Sequence, residues 1–307
     1  MGHLDGKVAI VTGAGRGIGR SEALLLAAEG AAVVVNDLGG STDGRGSDTG
    51  PASDVAAEIR AAGGRSASDG NDISTWKGGE AVVRRAIDTF GRLDILVCNA
   101  GIARDRMVFN LEEDDWDAVI RVHVKGHVAP TRFASSYWRA QAKASGASVN
   151  GRLVFTSSHI GLFGNAGQLA YGAAKAAIAL LGISTATELA PYGVTVNTIC
   201  PGAKTRLVEA LFPGDAPDDG FDPLSPDNIA PLVAYLCTDD AAHISGQVFG
   251  INAGSVELLQ GWTSAGTIDI GRRWTVDGLT ERLHELFGDR PSGPPVGMSD
   301  LYNPTAR

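Results

Sequence analysis

The chain is poor in cysteine, histidine and positive charge, and it has no long uninterrupted apolar run. Three cysteines among 307 residues, Cys98, Cys200 and Cys237, have neither paired nor metal-ligand spacing. That excludes a disulfide framework and points to free thiols in a reducing, cytoplasmic setting. The six histidines are scattered, so no metal is expected. Net charge is −9 and the sequence pI about 5.1, which argues against nucleic acid as a partner. No stretch of eighteen apolar residues appears, so no membrane span is expected. The first residues lead straight into a strand pattern, and no signal peptide is read there. At 44% hydrophobic and 20% charged, the chain can bury a sizeable core.

What is abundant is glycine, 41 in all, and its placement is informative. Residues 7–12 read as a buried strand, and Gly13, Gly15, Gly17 and Gly19 follow at once. A helix is predicted from Arg20 to about Glu29, ended by Gly30, then a strand over 32–36 that leads to Asp37. This is strand, glycine turn, helix, strand and acid, the βαβ arrangement that binds dinucleotides. The strict G-x-G-x-x-G spacing is absent; the glycines fit T-G-x-x-x-G-x-G with Gly13, Gly17 and Gly19 in the named places. Such glycines admit a pyrophosphate close to the backbone at a helix N-terminus.

A second pattern lies further along. Tyr171 is followed four residues later by Lys175, and Ser158 stands thirteen residues before the tyrosine. On a helix, residues four apart share a face, about 6 Å apart along the axis. An ammonium beside a phenol favours phenolate and lowers its pKa from about 10. A phenol so tuned exchanges protons with an alcohol or ketone oxygen, and the Ser158 hydroxyl can hold that oxygen. Ser157 reads as a strand-end residue.

Strand and helix patterns alternate between these motifs, favouring one domain with a parallel sheet. Helices are expected over 52–62, 78–90, 112–125, 128–144, 171–189 and 229–236. Strands are expected over 66–69, 93–98, 152–156, 194–199 and 246–251. Residues 38–51 read as a long loop, lying over a cofactor or simply at the surface. Residues 207–226, rich in proline, glycine and aspartate, read as a substrate lid or a surface loop.

Thr12–Gly19, Asp37, Asn71-Asp72-Ile73, Asn99-Ala100-Gly101, Ser158, Tyr171/Lys175 and Pro201-Gly202 together resemble a classical short-chain dehydrogenase/reductase, over residues 4–254. The resemblance implies an α/β fold: a single-domain, Rossmann-type, doubly wound parallel sheet with helices on both faces. Residues 1–255 would form the catalytic domain, and 256–307 an extension packing on it, with a poorly ordered end. It implies an enzyme in which Tyr171 is the acid/base, Ser158 orients the reacting oxygen, and Lys175 also binds the nicotinamide ribose. Cofactor contacts fall on Gly13, Arg16, Gly17, Ile18, Gly19, Asp37, Asp72, Ile73, Asn99, Ala100, Gly101, Tyr171, Lys175, Pro201, Gly202 and Thr205. Asp72 is either an adenine contact, with Ile73 against the ring, or a turn residue. Thr205 comes one place earlier than the common spacing. Where the family commonly has a relay asparagine, this chain has His123, which either fills the relay or packs against a backbone carbonyl.

The stretches 33–40, 101–107, 116–126 and 228–237 resemble the (3R)-hydroxyacyl-CoA dehydrogenase module of peroxisomal-type multifunctional β-oxidation enzymes and its free-standing bacterial relatives. The implied substrate is an acyl-CoA, or a steroid-like hydroxy or keto compound, and the implied assembly a homodimer or homotetramer. NAD is expected rather than NADP, because the Asp37 carboxylate accepts ribose hydroxyls and repels a 2′-phosphate. Arg16 points the other way. A 3-oxoacyl reductase, a hydroxysteroid dehydrogenase and a non-catalytic NAD-binding regulator are the rival functions.

Overall fold

The computed structural model describes residues 2–206 and 221–289. Two compact units divide the chain, Met1–Leu259 and Gln260–Arg307.

The first unit is built on one sheet. Its strands are β1 (Val8–Thr12), β2 (Ala32–Asn36), β3 (Arg65–Asp69), β4 (Ile95–Cys98), β5 (Gly151–Thr156), β6 (Val194–Gly202), β7 (Val248–Asn252) and β8 (Ser255–Leu259). They lie in the order β3-β2-β1-β4-β5-β6-β7-β8. Every pair is parallel except β7–β8, which is antiparallel. Parallel strands are covered on both faces, so they read as continuous apolar runs. Strand β1 shows this: Ala9 and Val11 enter one core, Val8 and Ile10 the other.

The helices are α1 (Gly17–Ala28), α2 (Gly50–Ala61), α3 (Trp76–Phe90), α4 (Glu113–Ile120), α5 (Gly126–Ser145), α6 (His159–Phe163), α7 (Leu169–Leu189) and α8 (Ala230–Leu236). Residues of α1, α2 and α8 line one core, and residues of α3, α5 and α7 the other. Chain order runs outward from β1 in one direction and from β4 in the other. The crevice beyond the carboxyl ends of these two strands is therefore the switch point where such sheets bind ligands.

Three elements depart from expectation. The helix expected over 112–125 is interrupted: Arg121–Lys125 forms a π turn between α4 and α5. Helix α6 is a single turn that no periodicity announces. Strand β8 carries the sheet past the domain boundary expected at 255. The loop at 38–51 ends in α2, which begins two residues earlier than expected, at Gly50, with Pro51 in its first turn. Most of the expected lid, 207–226, lies outside the described residues.

By length and composition, the stretch Leu169–Tyr192 could cross a membrane. Its Lys175 is buried, and it packs on β5 and β6, so it is a core helix.

The second unit holds α9 (Val276–Arg282) and the 3₁₀ turn Leu283–Leu286. Thr275 caps α9 by accepting from the Gly278 N–H at 3.1 Å. Arg282 pairs with Glu285 and lies 5.8 Å from the Trp274 ring centroid. None of its described residues is buried.

Candidate active site

The glycine turn is fixed by the end of β4. Thr12 Oγ1 accepts from the Asn99 and Ala100 N–H groups at 3.0 and 3.3 Å. Asn99 Nδ2 donates to the Thr12 and Gly13 carbonyls at 3.1 and 3.3 Å. A Cβ on Gly13 would stand 2.7 Å from the Ala100 Cα, and one on Gly19 2.4 Å from the Gly13 carbonyl oxygen. Only glycine fits either place. Gly17 has room but a φ of +53°, and its nearest neighbour is the Thr205 methyl, 3.6 Å from an added Cβ. Thr205 is thus brought to the glycine turn, where α1 begins. Ile18 packs partly against the α1-side core. The Arg16 guanidinium has its Nη1 buried with no hydrogen-bond partner among the described residues. A backbone cradle, a helix N-terminus and an unpartnered cationic nitrogen fit a dinucleotide pyrophosphate.

Asp37 lies beyond β2. Its Oδ2 accepts from the Gly15 N–H at 2.8 Å and its Oδ1 from the Gly39 N–H at 2.6 Å. Two acceptor sites per carboxylate oxygen leave capacity for ribose hydroxyls. Asp72 is engaged too: Oδ1 accepts from the Ser74 N–H and hydroxyl at 3.0 and 2.6 Å, and Oδ2 stands 3.6 Å from Arg121. Ile73 is buried in the core shared with α3, and its Cδ1 would lie 2.5 Å from a Cβ on Gly126. The geometry therefore gives Asp72 the turn role at the start of α3, whatever else it contacts.

Ser158, Tyr171 and Lys175 meet beyond β5. Ser158 caps α6, its Oγ accepting from the Ile160 N–H at 3.2 Å, and its hydroxyl acts to lower the Tyr171 pKa. Lys175 Nζ donates to the Thr156 carbonyl at 2.7 Å and lies 5.5 Å from the Tyr171 ring centroid. Ser157 Oγ donates to the Lys175 carbonyl at 2.6 Å, which makes it a tether between β5 and α7. Pro201 and Gly202 close β6, opposite Ile251 and Asn252.

The electrostatics correct one expectation. Burial pushes the Tyr171 phenol up to about 12, against the lowering effect of its Ser158 bond. Burial also pushes the Lys175 ammonium down to about 7. Desolvation disfavours the charged form of each group. Burial of the phenol thus works against the lowering expected from the neighbouring ammonium.

His123 sits on the π turn, fully buried. Its Nε2 is 2.7 Å from the Ile102 carbonyl oxygen and 3.1 Å from the Ile102 nitrogen. The shorter contact has the imidazole donating to the carbonyl. Its ring meets the Tyr171 ring edge to face, with centroids 5.3 Å apart at 86°. Burial, and then the Lys175 charge, hold its pKa well below the usual histidine range, so it is neutral. Gly101 makes this possible, since a Cβ there would stand 2.5 Å from the imidazole Cε1. A residue that sequence reasoning passed over also belongs here. His159, next to Ser158, has its Nε2 2.8 Å from Glu257 Oε1. No spacing rule links positions so far apart in the chain.

The family model described as short chain dehydrogenase matches residues 7–215. The chain is 44% identical to a protein named hydroxyacyl-CoA dehydrogenase ChsB1 of Mycobacterium tuberculosis, over 97% of this chain and 94% of that one. It is 39% identical to the peroxisomal multifunctional enzyme type 2 of Mus musculus over 87% of this chain, but spans only 34% of that enzyme. A short chain dehydrogenase crystal structure from Mycobacterium avium superposes with a TM-score of 0.85 at 44% identity, covering 97% of this chain and all of that one. The chain belongs to the short-chain dehydrogenase family, whose members act on CH–OH groups with a nicotinamide dinucleotide.

Proposed function

We propose that this chain oxidises the hydroxyl of a (3R)-hydroxyacyl-CoA, including CoA esters of steroid side chains, using NAD. The carrying observation is the convergence of Ser158, Tyr171 and Lys175 on the sheet edge that bears the glycine cradle. The likeness to a hydroxyacyl-CoA dehydrogenase over nearly the whole of both chains supports the substrate class.

In this reading Gly13, Arg16, Gly17, Ile18 and Gly19 hold the pyrophosphate, and Asp37 the adenosine ribose. Asp72, Ile73, Asn99, Ala100 and Gly101 flank the adenosine half. Lys175, Pro201, Gly202 and Thr205 serve the nicotinamide half. When bound, the dinucleotide supplies the carbon that accepts hydride. Ser158 holds the substrate oxygen, and Tyr171 as phenolate takes its proton. Lys175, braced by the Thr156 carbonyl, favours that phenolate when it is itself protonated. His123 keeps the Tyr171 ring in place from its edge. The exposed apolar residues Leu180 and Ile183 on α7 support a homo-oligomer. The three free cysteines, all buried, support a reducing cytoplasm.

A panel of hydroxyacyl-CoA esters, free steroid alcohols and both dinucleotides, read as NADH or NADPH absorbance, tests the reading. Hydroxyacyl-CoA with NAD should give the fastest signal. Binding of NAD without turnover of any panel member would make the chain a non-catalytic binder and end the proposal.

NAD should exceed NADP by at least about tenfold in kcat/KM, about 1.4 kcal/mol. The Asp37 carboxylate, clamped by two backbone amides, cannot swing away from a 2′-phosphate without breaking both bonds. A measured preference for NADP overturns the assignment of Asp37.

Replacing His123 by Ala should lower kcat several-fold, because it removes both the edge contact with Tyr171 and the anchor on Ile102. Steady-state kinetics with a melting curve decide this. Unchanged kcat at unchanged Tm would reduce His123 to packing.

A further inference from the structure

The Ser158 hydroxyl is aimed by a structure that cannot hold itself. Ser158 is the cap of α6, and α6 is five residues long. A single turn fixes more backbone freedom than its hydrogen bonds return. What keeps it in place must come from outside.

Contacts with α7 and with β8 contribute to this. Gly161 lies so close to α7 that an added Cβ would stand 2.6 Å from both the Ala176 nitrogen and the Lys175 carbonyl carbon. This seats α6 on the helix that carries Tyr171 and Lys175. His159, the first residue of α6, meets Glu257 of β8 at 2.8 Å. His159 is nearly buried, whereas the Glu257 side chain is about half exposed.

The sheet is built to let that second contact form. Glu257 pairs across β7–β8 with Gly250, and Gly250 pairs across β6–β7 with Cys200. A Cβ on Gly250 would stand 2.4 Å from Glu257 Oε1 and 2.8 Å from His159 Nε2. Gly250 has no positive φ, so backbone conformation does not demand glycine there. The room left by its missing side chain is where imidazole and carboxylate meet.

We propose that His159 and Glu257, meeting over Gly250, form a positioning clamp that holds the α6 turn, and with it the Ser158 hydroxyl, against Tyr171. The inference rests on the catalytic reading of Ser158 and adds to it the residues that set its aim. The edge strand β8 becomes part of the catalytic apparatus through this contact, though it touches none of the reacting atoms. The pair acts on transition-state alignment, not on dinucleotide affinity, because the glycine cradle lies at β1 and β4.

The test uses the full chain and the hydroxyacyl-CoA that gives the best NADH signal. Four variants are compared: Glu257→Ala, His159→Ala, the double variant, and Gly250→Ala. The last disrupts the pair without removing either member. Each single variant should lower kcat about tenfold, a loss typical of a displaced catalytic group. KM and the NADH Kd from fluorescence titration should stay within about twofold, well under the tenfold step of 1.4 kcal/mol. The double variant should lose no more than the worse single one, as members of one unit do. Glu257→Gln, which keeps an acceptor for the imidazole, should restore kcat. Retention of wild-type kcat by Glu257→Ala overturns the clamp, as does a double-variant loss equal to the product of the singles. Ser158→Ala separates the two levels. If it is inactive while Glu257→Ala is normal, only the clamp fails; if Ser158→Ala is itself active, the underlying reading fails.

Discussion

Tyr171→Phe is expected to lower kcat by roughly 10²–10⁴-fold, the range a positioned acid/base supplies. The substitution is close to ideal as a probe. Phenylalanine keeps the ring, and with it the edge contact with His123 and the packing over Lys175. Only the hydroxyl is lost. The dinucleotide affinity should therefore hold, which fluorescence titration of NADH measures independently of turnover. Burial pushes the phenol up to about 12, and removing the hydroxyl removes the group to which the proposal assigns the proton transfer. Wild-type turnover in the Phe variant would show that another group moves the proton.

The second large effect concerns stability. Glu22 on α1 is fully buried, and neither carboxylate oxygen has a hydrogen-bond partner among the described residues. It lies near Cys237, where α8 ends, and burial raises its pKa from 4.5 to about 8. The folded state therefore binds this proton more tightly than the unfolded chain. Its favourable contribution is complete below pH 4.5 and is lost as pH rises through 8. At about 1.4 kcal/mol per pH unit the loss across this window approaches roughly 5 kcal/mol, as an upper bound. Glu22→Met keeps the volume and removes the charge. The variant should gain little at pH 4.5 and several kcal/mol, on the order of the loss just given, near pH 9. Denaturant unfolding at several pH values measures the difference. Parallel stability profiles for the two proteins would show that Glu22 titrates in the folded state as it does in the unfolded chain, and would overturn the raised pKa.

Glu22 also marks the limit of reading this sequence. Nothing in the sequence singles out Glu22, yet it is buried completely while Leu24 and Leu25 of the same helix are only partly buried. The parallel strands were legible because both faces are covered, leaving unbroken apolar runs. The glycine turn was legible because local backbone geometry demands it. The trio at Ser158, Tyr171 and Lys175 was legible because helix spacing fixes two of its members. Helix α6 was not, since five residues show no period, and β8 was not, since its exposed Ser255, Val256, Glu257 and Leu258 resemble a tail. The π turn at His123 changes hydrogen bonding, which apolar spacing does not record. The burial that pushes the phenol up is likewise absent from the sequence, where charge proximity shows and depth does not.

In the role proposed for it at the adenosine ribose, the Asp37 carboxylate arrives already immobilised. With each oxygen held by a backbone amide, no side-chain torsion remains to be frozen when a sugar docks. The conformational entropy of that recognition is surrendered when the chain folds, not when the ligand binds. Exchanging this residue to alter dinucleotide choice would therefore set two loops free as well as removing a charge.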